Sequence, residues 1–283
     1  ILISIGGWTQ SDKFSDVALT PESRAKFASS VVDFVVRYGF DGADIDWEYP
    51  TGGGEAGNVE RPADKDNFVL LLDALRSALD AQGEADGRHY LLTIALGAGR
   101  TQYQPLDWEK ITPLLDFVNV MTYDMAGAWS SETGFNAPLY AASNGMSAET
   151  TISAVLALGV PADKLVLGVP FYGHGWTDVA AANNGLHQRF TGLIGEGGSL
   201  DYSVLASDYV GAYARFWDDT AQVPWLYDAE SRTMISYDDP ESIGLKAAYV
   251  RERGLGGVMF WEISQDSDDS ALLDAIRAGL GEG

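Results

Sequence analysis

Asp44, Asp46 and Glu48 stand two residues apart in the run F-D-G-A-D-I-D-W-E-Y-P, from Phe40 to Pro50. Read as a strand, the run sends successive side chains to opposite faces, so these acids line one face while Ala43, Ile45 and Trp47 line the other. Neighbours two apart in a strand lie roughly 6.5 Å from each other. At an effective dielectric of about 20, two unit charges at that distance repel by about 2.5 kcal/mol, which corresponds to about 2 pK units. Ionising all three acids together is therefore unfavourable, and a shared proton is expected, with at least one carboxyl protonated near neutral pH. A carboxylic acid held beside a carboxylate is equipment for cleaving an acetal bond. The competing readings are a solvated acidic strand and a cation site. Carboxylate metal sites recruit backbone carbonyls, waters or histidines from loops, whereas these acids alternate with apolar residues and the histidines are His89, His174 and His187.

An acid row needs a scaffold, and the chain supplies short β-rich apolar runs alternating with amphipathic helical segments, the pattern of a parallel sheet flanked by helices. The runs are Ile1 to Ile5, Phe40 to Glu48, Tyr90 to Leu96, Phe117 to Tyr123, Leu165 to Phe171 and Gly257 to Trp261. Thr20-Pro21-Glu22 opens a helix as N-cap, first-turn proline and first-turn acid, its apolar stripe is Phe27, Val31, Phe34, Val35 and Tyr38, and Gly39 ends it. A second helix is predicted over Pro62 to Ala81, with Phe68, Leu71, Leu72, Leu75 and Leu79 on one face. Others are predicted at Ser147 to Leu158, Pro240 to Arg253 and Asp268 to Leu280. From about His174 to Tyr237 the alternation stops, and Gly, Asn, Tyr and Trp dominate without a long helix. The run Gly192 to Gly198 lacks the Lys-Ser/Thr of a phosphate loop and opens no helix, so it reads as an ordinary loop. Gly6 and Gly7 read as a tight turn at a strand end, with close approach of a ligand as the functional alternative.

At 283 residues the chain is long enough for one large α/β barrel or two small domains. It carries 18 basic against 41 acidic residues, a net charge of -23, which excludes nucleic acid and anionic membrane surfaces as expected partners. A neutral polysaccharide is indifferent to that field. Cysteine is absent, so neither a disulfide nor a thiolate zinc site is available, and the redox compartment stays open. No apolar stretch of about 18 residues occurs, and no basic region precedes an apolar core and cleavage site at the N-terminus. The sequence as given is expected neither to span a membrane nor to carry its own export signal.

D-G-A-D-I-D-W-E-Y-P resembles the signature D-x-x-D-x-D-x-E of the glycoside hydrolase family 18 chitinases. Further blocks of that family follow the same order: S-I-G-G-W at Ser4 to Trp8, M-T-Y-D at Met121 to Asp124, G-V-P-F-Y-G at Gly168 to Gly173, and G-G-V-M-F-W-E at Gly256 to Glu262. The resemblance runs end to end. It implies an α/β fold of (β/α) barrel type, with residues 1–173 and 238–283 as the catalytic barrel and 174–237 as a small α+β insertion domain. In the family S-I-G-G-W belongs to the third strand, so two strand-helix units are missing here and about six parallel strands are expected. Two bare edges then follow, at Ile1 to Ile5 and Gly257 to Trp261. Either the sequence is a piece of a longer chain, or the barrel works open, or a partner such as a second copy fills the gap.

The resemblance further implies hydrolysis of β-1,4-linked N-acetylglucosamine polymers with retention, the substrate's own 2-acetamido oxygen acting as nucleophile. Glu48 would be the acid and then the base, Asp46 would accept the acetamido N–H and balance the oxazolinium, and Asp44 would share a proton with it. Tyr123 would hold the acetamido carbonyl, with Met121 and Asp124 in the same pocket. Trp261 would form the pocket floor, and Trp8, Trp129, Trp176 and Tyr172 are candidates for lining the cleft, with packing as the alternative for each. Asp41 is expected in a structural role, and His174 stands where many relatives carry arginine. No metal or cofactor is implied, and a secreted protein is expected because chitin lies outside cells. The alternatives from other classes are a weak or inactive chitin-binding, lectin-like protein with an incomplete barrel, and an endo-N-acetylglucosaminidase acting on glycoproteins.

Overall fold

A computed structural model describes residues 1–141, 145–195 and 197–281. Residues 142–144, 196, 282 and 283, which the expected domain spans include, lie outside the described residues. The chain forms two compact units, Ile1–Val120 with Ala154–Leu165, and Met121–Ser153 with Val166–Gly283.

The first unit carries β1 (Leu2–Gly6), β2 (Gly42–Asp46), β3 (Leu91–Gly97) and all but the last residue of β4 (Phe117–Met121). β1 pairs parallel with β2, and β2 parallel with β3, in a register that sets Ser4 and Thr93 on either side of Asp44. The helix Pro21–Tyr38 starts as its sequence predicts: Thr20 accepts the Ser23 N–H, Ser23 returns a bond to the Thr20 N–H, and Pro21 takes the first turn. Gly39 ends it in the left-handed conformation at φ 73°. The buried stripe of this helix is narrower than its sequence suggests. Ala28, Val31 and Val35 are inside, whereas Phe34 and Tyr38 are exposed, their rings tilted against one another with centroids 4.5 Å apart. The second helix runs Asp64–Asp86, five residues past its expected end, and stops where Gly87 takes the left-handed conformation at φ 66° and donates its N–H to the Gly83 carbonyl. Its face of Phe68, Leu71, Leu72, Leu75 and Leu79 is buried as predicted.

The second unit holds β5 (Leu165–Pro170) from Val166 onward, followed by β6 (Tyr172–Thr177), β7 (Gly192–Leu193), β8 (Ser199–Asp201), β9 (Ala214–Asp218), β10 (Val223–Asp228), β11 (Thr233–Ser236) and β12 (Gly257–Trp261). β5 and β12 are parallel, with Gly168 opposite Met259 and Pro170 opposite Trp261. The remaining strands form an antiparallel sheet in the order β7-β6-β11-β10-β9, with β8 also on β6. The Gly192 to Gly198 run is therefore more than a loop: its first two residues are β7, paired with β6. A core of Trp176, Val179, Leu186, Trp225, Tyr227 and Met234 packs beside this sheet. The helix Pro240–Arg253 begins at an Asp239 cap and stops at Gly254, matching its expected bounds.

The parallel strands follow the order β1-β2-β3-β4-β5-β12, six strands of an incomplete (β/α) barrel fold with a separate antiparallel sheet. Among the described residues no helix is long and apolar enough to cross a membrane.

β1 is bonded to β2 alone, so about half its amides face away from the sheet. In hydrogen-exchange mass spectrometry Leu2–Gly6 should exchange faster than Gly42–Asp46, at any protein concentration. Protection of Leu2–Gly6 that grows with concentration would show instead that a second copy pairs there.

Candidate functional site

Asp44 and Asp46 lie on β2, and Glu48 follows two residues after the strand ends. The opposite face is core: Ala43 and Ile45 are fully buried, and Trp47 stacks on Phe14 at 5.4 Å and meets the edge of Phe68 at 5.7 Å. That packing fixes which way the acids point. Asp44 is buried, and its oxygens are occupied by neutral donors from β1, β3 and β4: Ser4 Oγ at 2.8 Å, Thr93 Oγ1 at 2.6 Å and Asn119 Nδ2 at 3.1 Å. Asp46 is treated differently. Its Oδ1 is buried with no hydrogen-bond partner. Burial pushes its carboxyl up to about 7, with the charges of Glu48 and then Asp44 adding to the shift. The carboxyl expected to hold a proton near neutral pH is thus Asp46.

Glu48 is buried and its backbone is pinned on both sides. The Glu48 N–H donates to Ser11 Oγ at 2.9 Å, and its carbonyl accepts from Asn58 Nδ2 at 3.2 Å. Glycines let other backbone reach this turn. Gly6, at φ 116°, would carry a Cβ 2.0 Å from the Asp46 carbonyl, and a Cβ at Gly54 would lie 1.9 Å from the Glu48 carbonyl. The close approach at Gly6 is therefore that of the protein's own backbone, reinforced by the Gly7 N–H donating to the Asp46 carbonyl at 2.8 Å. Asp41 accepts from the Arg88 guanidinium, a surface ion pair in keeping with its expected structural role.

A second constellation lies in the other unit. Tyr123 is buried with Tyr172 and Ala137, its ring edge-on to Tyr172 at 6.1 Å, its hydroxyl 3.7 Å from Met259 Sδ, and Met121 packed against the group. Asp124 holds a left-handed backbone at φ 58° and donates its N–H to Asn136 Oδ1 at 2.8 Å. Its Oδ1 accepts from the Tyr172 hydroxyl at 2.7 Å and faces His174 Nε2 at 2.9 Å. Trp129 is 64% exposed and meets the His174 ring edge-on at 5.5 Å. Trp261 is 54% exposed at the end of β12, and Trp8, in the first unit, is 49% exposed. These indoles are open to a ligand.

Trp176 is not. Expected as a cleft residue, it is fully buried in the core of the antiparallel sheet, and its Nε1 donates to the Gly127 carbonyl at 3.2 Å. It shares a face of β6 with Tyr172 and His174, but lies further along the strand, where it packs with Val179, Leu186, Trp225 and Met234. The supporting residues Ser4, Ser11, Asn58, Thr93, Asn119 and Asn136 have no individual mark in the sequence; only Ser4 falls inside a family block. Strand register, once known, would have pointed to Ser4 and Thr93. Among the described residues no group of three or more histidine or acid side chains is arranged to hold a metal ion.

The family glycosyl hydrolases family 18 matches residues 1–266. Chitinase A1 of Niallia circulans is 48% identical, over 100% of this chain and 42% of its own length. The structure of chitinase ChiA74 from Bacillus thuringiensis is similar with a TM-score of 0.94 at 42% identity, over 100% of this chain and 50% of that one. A glycoside hydrolase family 18 N-acetylglucosaminidase from Paenibacillus barengoltzii gives a TM-score of 0.92 at 42% identity, over 99% of this chain and 82% of that one. The chain spans less than two thirds of the first curated relatives it matches, 42% of one and 65% of the next.

An acid whose pKa is raised by folding binds its proton more tightly in the folded than in the unfolded chain, so its contribution to stability falls as pH rises from about 4 to about 7. Asp46→Asn removes that penalty, and its melting temperature relative to native protein should climb across this window and then level. A difference independent of pH would refute the assignment. For the tryptophans, Trp176→Ala should cost about 3–5 kcal/mol in denaturant unfolding, as for a buried aromatic, while Trp261→Ala should barely move the midpoint.

Proposed function

The chain belongs to glycosyl hydrolases family 18, and on that premise we propose that it acts as a chitinase, hydrolysing β-1,4-linked N-acetylglucosamine polymers with retention and substrate assistance. The observation that carries this reading is the acid row on β2, where an Asp46 carboxyl with an unpartnered buried Oδ1, pushed up to about 7, stands between Asp44 and Glu48. Glu48 gives its proton to the glycosidic oxygen as that bond breaks, while the substrate's acetamido oxygen attacks the anomeric carbon. Asp46 accepts the acetamido N–H and, ionised, faces the positive oxazolinium. Asp44 is the neighbour with which Asp46 shares a proton when the substrate is absent. Glu48, now a carboxylate, takes a proton from water as that water opens the oxazolinium from the opposite face. The Tyr123 hydroxyl holds the acetamido carbonyl, and Met121, Asp124, Tyr172, Trp8, Trp129 and Trp261 contact the sugars.

In this reading residues 1–173 and 238–283 are the catalytic barrel and 174–237 the insertion domain. A polymer found outside cells makes the protein a secreted one. The products with soluble oligomers are short N-acetylglucosamine units, and no cofactor takes part.

Glu48→Gln keeps the size of the side chain and removes the transferable proton. Turnover of a chromogenic N-acetylglucosamine oligomer should fall at least about 100-fold, as for other general acid–base groups, with oligomer binding retained. Comparable rates for variant and native protein would overturn the role of Glu48. Because the acetamido group is the nucleophile, fully deacetylated chitosan and cellulose oligomers of equal length should not be cleaved, and efficient cleavage of either would refute substrate assistance.

A further inference from the structure

His174 lies on β6, 5% exposed, and none of the chemistry above uses it. Its Nε2 is 2.9 Å from Asp124 Oδ1. A carboxylate only accepts, so this nitrogen carries the hydrogen. The other ring nitrogen, Nδ1, is buried and has no partner. A second N–H at that place would be a buried donor with nothing to donate to, which is worse than a bare lone pair. The neutral Nε2–H tautomer follows.

Asp124 Oδ1 then has two donors, the Tyr172 hydroxyl and the His174 N–H. The Asp124 side chain is 45% exposed, so its other oxygen, Oδ2, is left to accept from outside. The His174 ring is itself wedged edge-on between Tyr172 and Trp129, each at 5.5 Å, and Trp129 offers an exposed indole on its far side. An anionic acceptor beside an open aromatic face suits a sugar, whose hydroxyls donate while its apolar face stacks.

We propose that His174 is a positioning residue: as the Nε2–H tautomer it locks Asp124 so that Oδ2 accepts a hydroxyl of an N-acetylglucosamine unit stacked on Trp129. The ligand in this statement rests on the proposed function; the lock itself does not. Its effect falls on affinity and not on the acid–base steps at Glu48.

Two variants separate this from a packing role. A glutamine amide reaches the place of Nε2, whereas an asparagine amide reaches only that of Nδ1. His174→Asn should weaken calorimetric binding of the N-acetylglucosamine pentamer about 10-fold, the loss of one hydrogen bond to a charged group. His174→Gln should restore it to within about 2-fold of native. KM should follow Kd, with kcat and melting temperature nearly unchanged. Equal losses in both variants, no loss in either, or a fall of kcat together with melting temperature would overturn the proposal. Long-range 15N–1H NMR of the unliganded protein should show His174 protonated at Nε2 and bare at Nδ1. An Nδ1–H tautomer overturns the lock without reference to any substrate, whereas native protein that neither binds nor cleaves the pentamer, with the Nε2–H signal in place, overturns only the proposed function.

Discussion

Like charges crowded on one strand, and their removal from water, govern the rest of this structure. Each carboxylate on β2 must either be supplied with donors or keep its proton. The fold applies both solutions a few residues apart. Asp44 receives hydroxyl donors from the strands beside it and an amide donor from β4, while Asp46 has a buried oxygen with no donor and its carboxyl is pushed up to about 7. An uncompensated buried polar atom costs free energy, so it persists only where the surrounding packing leaves it no other position.

That packing is visible on the opposite face of the strand. Trp47, clamped by Phe14 and Phe68, fixes the twist of the chain just before Glu48, and Ile45 and Ala43 anchor the strand below it. The backbone beyond the strand is then held by Ser11 and Asn58 and by the Gly6 and Gly7 contacts to the Asp46 carbonyl. Hydrophobic burial on one face thus sets the side-chain direction on the other. Polar second contacts then fix it to within a hydrogen bond. A side chain that must transfer a proton at a stated atom needs both.

Much of this was legible in the sequence because it depends on local pattern. The period-two acids, the Thr20-Pro21 helix start, the Gly39 stop and the leucine face from Phe68 to Leu79 are short-range signals, and each element lies within a few residues of its expected place. What was not legible depends on register. Thr93 and Asn119 become donors to Asp44 only because β3 beside β2, and β4 one strand beyond, stand in one particular alignment. Trp176 differs for a related reason: a tryptophan in a glycine-rich run looks available to a ligand, but pairing of β6 with β11 sets it beside Met234 in the core of the antiparallel sheet. Phe34 and Tyr38 failed in the other direction, since a helix stripe drawn wide enough to include them exceeds what the sheet can cover. Repulsion along the row predicts one raised carboxyl without saying which; at Asp46, where the structure puts it, burial is the larger cause.

The contrast between Asp46 and Asp124 carries the argument furthest. Asp46 is half-buried, with one buried oxygen short of donors, and its carboxyl is pushed up to about 7, so its proton is within reach of a reaction near neutral pH. Asp124 is half-open to water and holds two donors on one oxygen, so its carboxyl group is fixed in orientation. The first arrangement suits a group whose proton must move, the second a group that must hold a neutral polar ligand in one orientation. The same side-chain chemistry therefore yields two different capacities, decided by burial and by the count of donors.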